Sequence, residues 1–217
     1  MRIFIGFIEK MVKNIIENIV DFVFPPNKEE LKIREISKEY FLDIVKSAQK
    51  SEFPFIYPLF AYRDPLVREL IWQIKYKKNK KAIAIAGFAL YSYLYKHNYK
   101  DCILIPIPIS KERRKERGYN QTELIIDEII KLDIENRFIK NYEILIREKN
   151  LDRQTLKNRK ERLEAQGIFR ANKVEDLLNK KMIIIDDVTT TGNTAKEARE
   201  AMLKVGFMDV QVVTLGH

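Results

Sequence analysis

Cysteine and histidine are nearly absent from the 217 residues: Cys102, His97 and His217 are all there are. One cysteine excludes an internal disulfide framework, and one cysteine with two distant histidines cannot build a Cys/His zinc site. The expected address is a reducing cytoplasm, with no zinc bound. Glycine is scarce as well, at positions 6, 87, 118, 167, 192, 206 and 216. No two of these are two or five positions apart, which removes both the GxGxxG dinucleotide fingerprint and the GxxxxGK[ST] phosphate loop. Long apolar runs are missing too. At the N-terminus, Glu9, Lys10, Lys13, Glu17 and Asp21 interrupt every run well short of a membrane span, and no small-residue cleavage site follows. An amphipathic helix ending at Pro25-Pro26, without stable membrane insertion, is the expectation there.

What remains is a basic chain with the means to bury a core. Hydrophobic residues make up 46% and charged residues 33%, with 40 Lys+Arg against 31 Asp+Glu for a net charge of +9. The first 50 residues carry only +1 of this, so the basic character belongs to the later part of the chain. Periodicity predicts a second amphipathic helix over 28–50, with Leu31, Ile36, Phe41, Ile44 and Val45 on its apolar side, and then an aromatic and proline-bearing connection at 53–58. Beyond it strands and helices alternate: a helix opened by Asp64-Pro65, another over 80–97, a buried strand in CILIPIPI (102–109), a helix over 120–132 and a short strand near 143–146. A buried strand at 182–187, a helix from Thr194 to Val205 closed by Gly206, and a strand at 210–215 complete the series. Such alternation indicates an α/β domain around a mainly parallel sheet flanked by helices, spanning 59–217, preceded by a helical extension over 1–58.

The segment KMIIIDDVTTTGNTA (181–195) is the most informative. An apolar strand ends in two carboxylates, Asp186 and Asp187, and enters a short loop of threonines around Gly192 that opens a helix. Backbone N–H groups and hydroxyls on a helix N-terminus at the C-terminal edge of a parallel sheet suit a phosphate. The carboxylates suit sugar hydroxyls or a hard cation. Together they describe a sugar-phosphate site, although Asp and Thr at such a turn are also ordinary capping residues. Three basic clusters accompany it, at 75–81, 111–117 and 153–162. The first reads as a solvated face. Asn120 is as well placed to cap the next helix as to meet a ligand, and Trp72 reads as a packing residue on its helix.

IIIDDVTTTGNT resembles the 5-phosphoribosyl-1-diphosphate (PRPP) motif of type I phosphoribosyltransferases. YRDPLVRELIWQIKYKKNKK (62–81), IPIPISKERRKERGYNQTELI (105–125) and the Arg147 to Phe169 stretch with Gln154 and Arg162 narrow the resemblance to the ComF family of competence-associated, phosphoribosyltransferase-like proteins. The chain departs from that family in lacking the N-terminal cysteine zinc ribbon, and in carrying Leu151 and Ala165 where Thr and Asn are expected. The resemblance implies a type I phosphoribosyltransferase-like fold that binds PRPP with Mg²⁺ and displaces its diphosphate by a nitrogen of an unidentified acceptor base. Asp186 and Asp187 would serve catalysis by holding ribose hydroxyls directly or through Mg²⁺. Thr189, Thr190, Thr191, Gly192, Asn193 and Thr194 would hold the 5′-phosphate, and Arg113, Arg114 and Arg117 would face diphosphate. The alternative it implies is a non-catalytic protein that binds single-stranded DNA, through cations such as Arg153, Arg159 and Arg162, and assists natural transformation beside competence or recombination proteins.

Overall fold

The computed structural model describes residues 25–148 and 168–217. The N-terminal amphipathic helix expected over the first 22 residues, and Arg153, Arg159 and Arg162, lie outside them. Helix α1 (Lys28–Glu35) is followed by α2 (Lys38–Ile44), β1 (Ile56–Phe60), α3 (Pro65–Trp72) and a π-helical turn at Gln73–Lys77. Then come α4 (Lys80–Lys96), β2 (Cys102–Pro106), α5 (Lys111–Arg117), α6 (Gln121–Leu132), β3 (Phe138–Lys140) and β4 (Leu145–Arg147). The series ends with β5 (Phe169–Ala171), β6 (Lys181–Val188), α7 (Asn193–Lys204) and β7 (Val210–Gly216).

Five strands form one sheet in the order β1-β7-β6-β2-β3, and every pairing is parallel. β6 lies at its centre and reads as a continuous apolar run because both of its faces are covered. Ile183 and Ile185 point into a core shared with α1, α2, α3, α4 and α6. Met182 and Ile184 point into a second core, built with α7 and the small antiparallel pair β4-β5. This two-residue alternation continues to the strand's end and sends its last two acidic side chains to opposite faces.

The predicted helix over 28–50 is two helices. Ser37 takes extended backbone and its hydroxyl accepts from the Tyr40 amide, so a new N-cap interrupts the first helix. The break rotates the apolar face: Ile33, absent from the predicted stripe, is fully buried, whereas Leu31 and Ile44 are exposed. The aromatic connection is also more than a connection, because Ile56–Phe60 pairs with β7 as an edge strand. Pro58 is tolerated there since the outer side of an edge strand needs no ladder donor. On its outer side Ser47 makes an antiparallel bridge to Phe60. Strand β1 therefore straddles the boundary placed at 58/59, and α1 and α2 share their core with the helices that follow. Helix α5 and strand β3 add to the predicted elements. Asp64 caps α3 with Pro65 at its first turn, as its sequence implies.

Cys102 is buried, and burial pushes its thiol up to about 11, as suits a small core residue. No helix among the described residues is long and apolar enough to cross a membrane.

Helices α4 and α6 touch at Gly87, where a Cβ would meet the Glu128 Cβ at 2.5 Å. Gly87→Ala gains about 1 kcal/mol in helix propensity but overpacks the contact by about 1–3 kcal/mol. A net loss on the order of 1 kcal/mol in urea unfolding is expected. A gain would mean that the helices part without cost.

Candidate functional site

The site gathers at the C-terminal edge of the sheet. Asp186 and Asp187 are the last buried rungs of β6, 8% and 5% exposed. They open into a cleft of about 350 Å³ that Lys75, Arg113, Arg117, Gln121, Arg147 and Thr194 also line.

Each carboxylate meets a different environment. Lys75 Nζ lies 2.8 Å from Asp187 Oδ1, and Gln121 Nε2 donates to Asp187 Oδ2 at 2.6 Å. Asp186 Oδ1 accepts from the Asp187 amide at 2.8 Å. Burial pushes the Asp186 carboxyl well above the usual carboxylate range. The neighbouring Asp187 charge adds to the shift, while the Asp187 amide, Lys75 and Arg113 oppose it.

Lys75 comes from the π-helical turn, which the sequence hides within a run of lysines. The Tyr119 hydroxyl donates to the Ile74 carbonyl at 2.7 Å and fixes that turn. Asn120 caps α6 through the Thr122 amide and also donates Nδ2–H to the Ile107 carbonyl at 3.0 Å. Arg117 donates to Gln121 Oε1 at 3.2 Å, and Gln121 in turn reaches Asp187. Gly118 closes α5 at φ 77°, in the left-handed region. The RGYNQ segment is thus the frame that aims Lys75 and Gln121 at Asp187. Of the 75–81 lysines predicted as a solvated face, Lys77 pairs with Glu30 at 2.7 Å and Lys81 Nζ donates to the Arg34 carbonyl at 2.6 Å, so they fasten α1. Burial of Glu30 opposes its charge, but Lys77 and Arg34 outweigh it and hold the carboxyl below its ordinary value.

The predicted diphosphate cations divide. Arg113 and Arg117 line the cleft, whereas Arg114 makes a two-pronged contact with Glu123 at 2.8 Å and turns away. Arg147 joins them from β4. Burial lowers its pKa and the nearby Arg113 charge lowers it further, while Glu197, Glu112 and Asp186 oppose the shift. The Arg117 Nε is buried with no hydrogen-bond partner. Lys75, Gln121 and Arg147 were not among the predicted site residues. Each lies in a segment that carries the family resemblance, but nothing in the sequence assigned it a role; the fold puts all three at the carboxylates.

The threonine loop is arranged differently from its sequence expectation. Thr189 is buried and its amide donates to the Gly216 carbonyl at 3.0 Å, so it completes the sheet. Thr194 lines the cleft with the carboxylates, while Thr190, Thr191 and Gly192 border a second hollow of about 330 Å³ beside Phe53 and His217. Asn193 is exposed at the start of α7. Gly192 has φ 73°, and a Cβ there would meet the Phe53 ring at 2.5 Å. The glycine is therefore required by the turn and by Phe53, rather than by an approaching ligand. Asn27, Ser37, Asp64, Asn79, Ser110 and Asn120 each cap a helix with a side chain. Helix α7, opened by Gly192, has no side-chain cap.

The donor set fits a Mg²⁺ ion only in part. The two carboxylates are hard oxygen donors, yet both Asp187 oxygens already accept from Lys75 and Gln121, and no group of three potential ligands occurs among the described residues. A cation that brings most of its oxygens with the substrate matches such a pair.

The chain is 31% identical to the competence protein ComFC of Bacillus subtilis over 152 residues, 68% of this chain and 58% of that protein. It is 30% identical to competence protein F of Haemophilus influenzae, over 50% of this chain and 47% of that one. The ComFC of Streptococcus pneumoniae is 31% identical over 54% and 49%. The chain thus spans about half of the length of these relatives. No protein-family model matches it. Among solved structures, a hypoxanthine phosphoribosyltransferase from Staphylococcus aureus superposes with a TM-score of 0.36 at 18% identity, covering 68% of this chain and 62% of that one. A purine phosphoribosyltransferase from Pyrococcus horikoshii gives 0.33 at 18%, covering 61% and 71%.

Two substitutions probe the geometry. Because the folded-state pKa of Asp186 is raised, its charged form destabilises the fold at high pH, and the penalty vanishes below the ordinary carboxylate range. Asp186→Asn should raise the melting temperature at about pH 8.5, with the gain shrinking toward about pH 4. A lower melting temperature at both values would contradict this. Gly192→Ala should destabilise by at least about 1–2 kcal/mol from backbone strain alone, and Phe53→Ala added to it should recover the clash but not the strain. Urea unfolding of both variants checks it, and an unchanged single variant would refute the packing.

Proposed function

We propose, from the premise that this chain is a member of the ComF family of type I phosphoribosyltransferase-like proteins, that its cleft binds PRPP and that the protein transfers the phosphoribosyl group to an acceptor base. The observation that carries this reading is the juxtaposition at the end of β6. A buried carboxylate pair stands in one cleft with Arg113, Arg117 and Arg147, beside a helix whose first-turn amides lack a side-chain cap. Amides there take the 5′-phosphate, with Thr194 beside them. Asp186 and Asp187 take the ribose hydroxyls, and Gln121 and Lys75 keep Asp187 oriented. The three arginines face the diphosphate. Asp186 or Asp187 would hold Mg²⁺ together with substrate oxygens, and the ion would supply charge neutralisation at the leaving group.

In the reaction so read, the lone pair of an acceptor nitrogen forms the bond to the ribose C1 as the bond from C1 to the diphosphate oxygen breaks. Diphosphate leaves with that electron pair. The protein contributes position and charge stabilisation to an oxocarbenium-like transition state, with no covalent nucleophile. A second reading is single-stranded DNA binding in natural transformation. It is favoured by the names of the relatives and by the net charge of +9.

Calorimetric titration of PRPP with Mg²⁺ tests the first reading. The wild type should bind, Arg117→Ala should lose affinity by about tenfold or more, and Asp186→Asn with Asp187→Asn should lose the Mg²⁺ dependence while still accepting inorganic phosphate. Absence of PRPP binding to the folded wild type would overturn it. Given binding, release of diphosphate across a panel of bases identifies the acceptor.

A further inference from the structure

The π-helical turn does more than deliver Lys75. It leaves Trp72 and Tyr76 outward, 44% and 57% exposed, with ring centroids 5.8 Å apart and a tilt of 44°. Trp72 ends α3 and Tyr76 lies in the turn that follows, where Gln73 and Ile74 are buried; large aromatics so placed would ordinarily point inward. Each of the two has a cation against its ring. Lys77 Nζ lies 5.0 Å from the Trp72 ring centroid and the Arg117 guanidinium 5.1 Å from that of Tyr76. Beside them Lys78 Nζ lies 5.2 Å from the centroid of Tyr119. Tyr76 and Arg117 also line the cleft, so the aromatic surface runs from its rim outward.

We propose that Trp72 and Tyr76 form a stacking platform on which a single-stranded nucleic acid lays successive bases, with Lys77, Lys78 and Arg117 meeting its phosphates. The chemistry fits because every base offers a π-face to an exposed ring, while the flanking cations match a backbone charged at each step. Exposure selects a strand over a free nucleotide: a single base is held by enclosure, whereas both rings are open to solvent and Trp72 lies outside the cleft. The turn is also held from beneath, by the Tyr119 hydroxyl on the Ile74 carbonyl and by the Lys75 contact to Asp187, so the two rings are presented on a fixed base. The platform rests on the nucleic-acid reading; Trp72 takes no part in the cleft, whereas Tyr76 and Arg117 are shared with it.

Trp72 is the one tryptophan of the chain, so its fluorescence reports on the platform alone. Titration with an oligodeoxythymidylate should quench it, with ribose 5-phosphate silent and thymidine monophosphate weak. In polarisation measurements with the same labelled strand, Trp72→Ala should weaken binding by about tenfold, and Trp72→Phe should restore most of it. PRPP affinity should be unchanged in Trp72→Ala. A wild type that binds the strand without quenching, or a Trp72→Ala variant that binds it equally well, overturns the platform while leaving nucleic-acid binding in place. No binding of the strand overturns both. Quenching by the mononucleotide as strong as by the strand overturns the strand as occupant.

Discussion

Two carboxylates buried at successive positions at the end of a central strand carry a large electrostatic cost, and much of the architecture around them answers it. Two like charges so buried cannot both be tolerated without compensation. Asp187 is compensated by Lys75 and Gln121, and Asp186 by a shift toward its neutral form. The groups that aim those partners come from two segments remote in sequence, the π-helical turn and RGYNQ, which are tied to each other by Tyr119. A fold built for stability alone would place apolar residues there.

The same logic extends to the helix that follows. Six of the seven described helices begin with a side chain that satisfies a first-turn amide, and α7 begins with a glycine held under Phe53. First-turn amides without a side-chain cap, mutually repelling arginines and a buried guanidinium nitrogen without a partner meet around one polar cleft. One anionic ligand would meet all three.

Much of the fold was legible because its signals are local. The apolar run of β6, the Asp64-Pro65 start of α3 and the positive-φ glycine closing α7 each act over a few residues, and the structure bears them out. Ser37 was missed as a helix break because an N-cap competes with a continuing amphipathic pattern, and only burial of Ile33 and Phe41 decides the outcome. At the site, the carboxylates and the loop were visible as a strand-to-helix pattern. The roles of Lys75, Gln121 and Arg147 were not, since they lie in contacts between distant segments. Arg114 and Arg117 are indistinguishable as sequence, yet one pairs with Glu123 and the other enters the cleft. Trp72 sits on a helical pattern that predicts packing, and the π turn that exposes it has no sequence signature.

The central claim is that the cleft and the start of α7 together receive one phosphorylated sugar. Amide hydrogen exchange, with and without saturating PRPP and Mg²⁺, tests it most directly. Slowed exchange is predicted at residues 190–196 and across 111–121, with the sheet interior unchanged. Unaltered exchange in both segments, or protection confined to another face, would contradict the account.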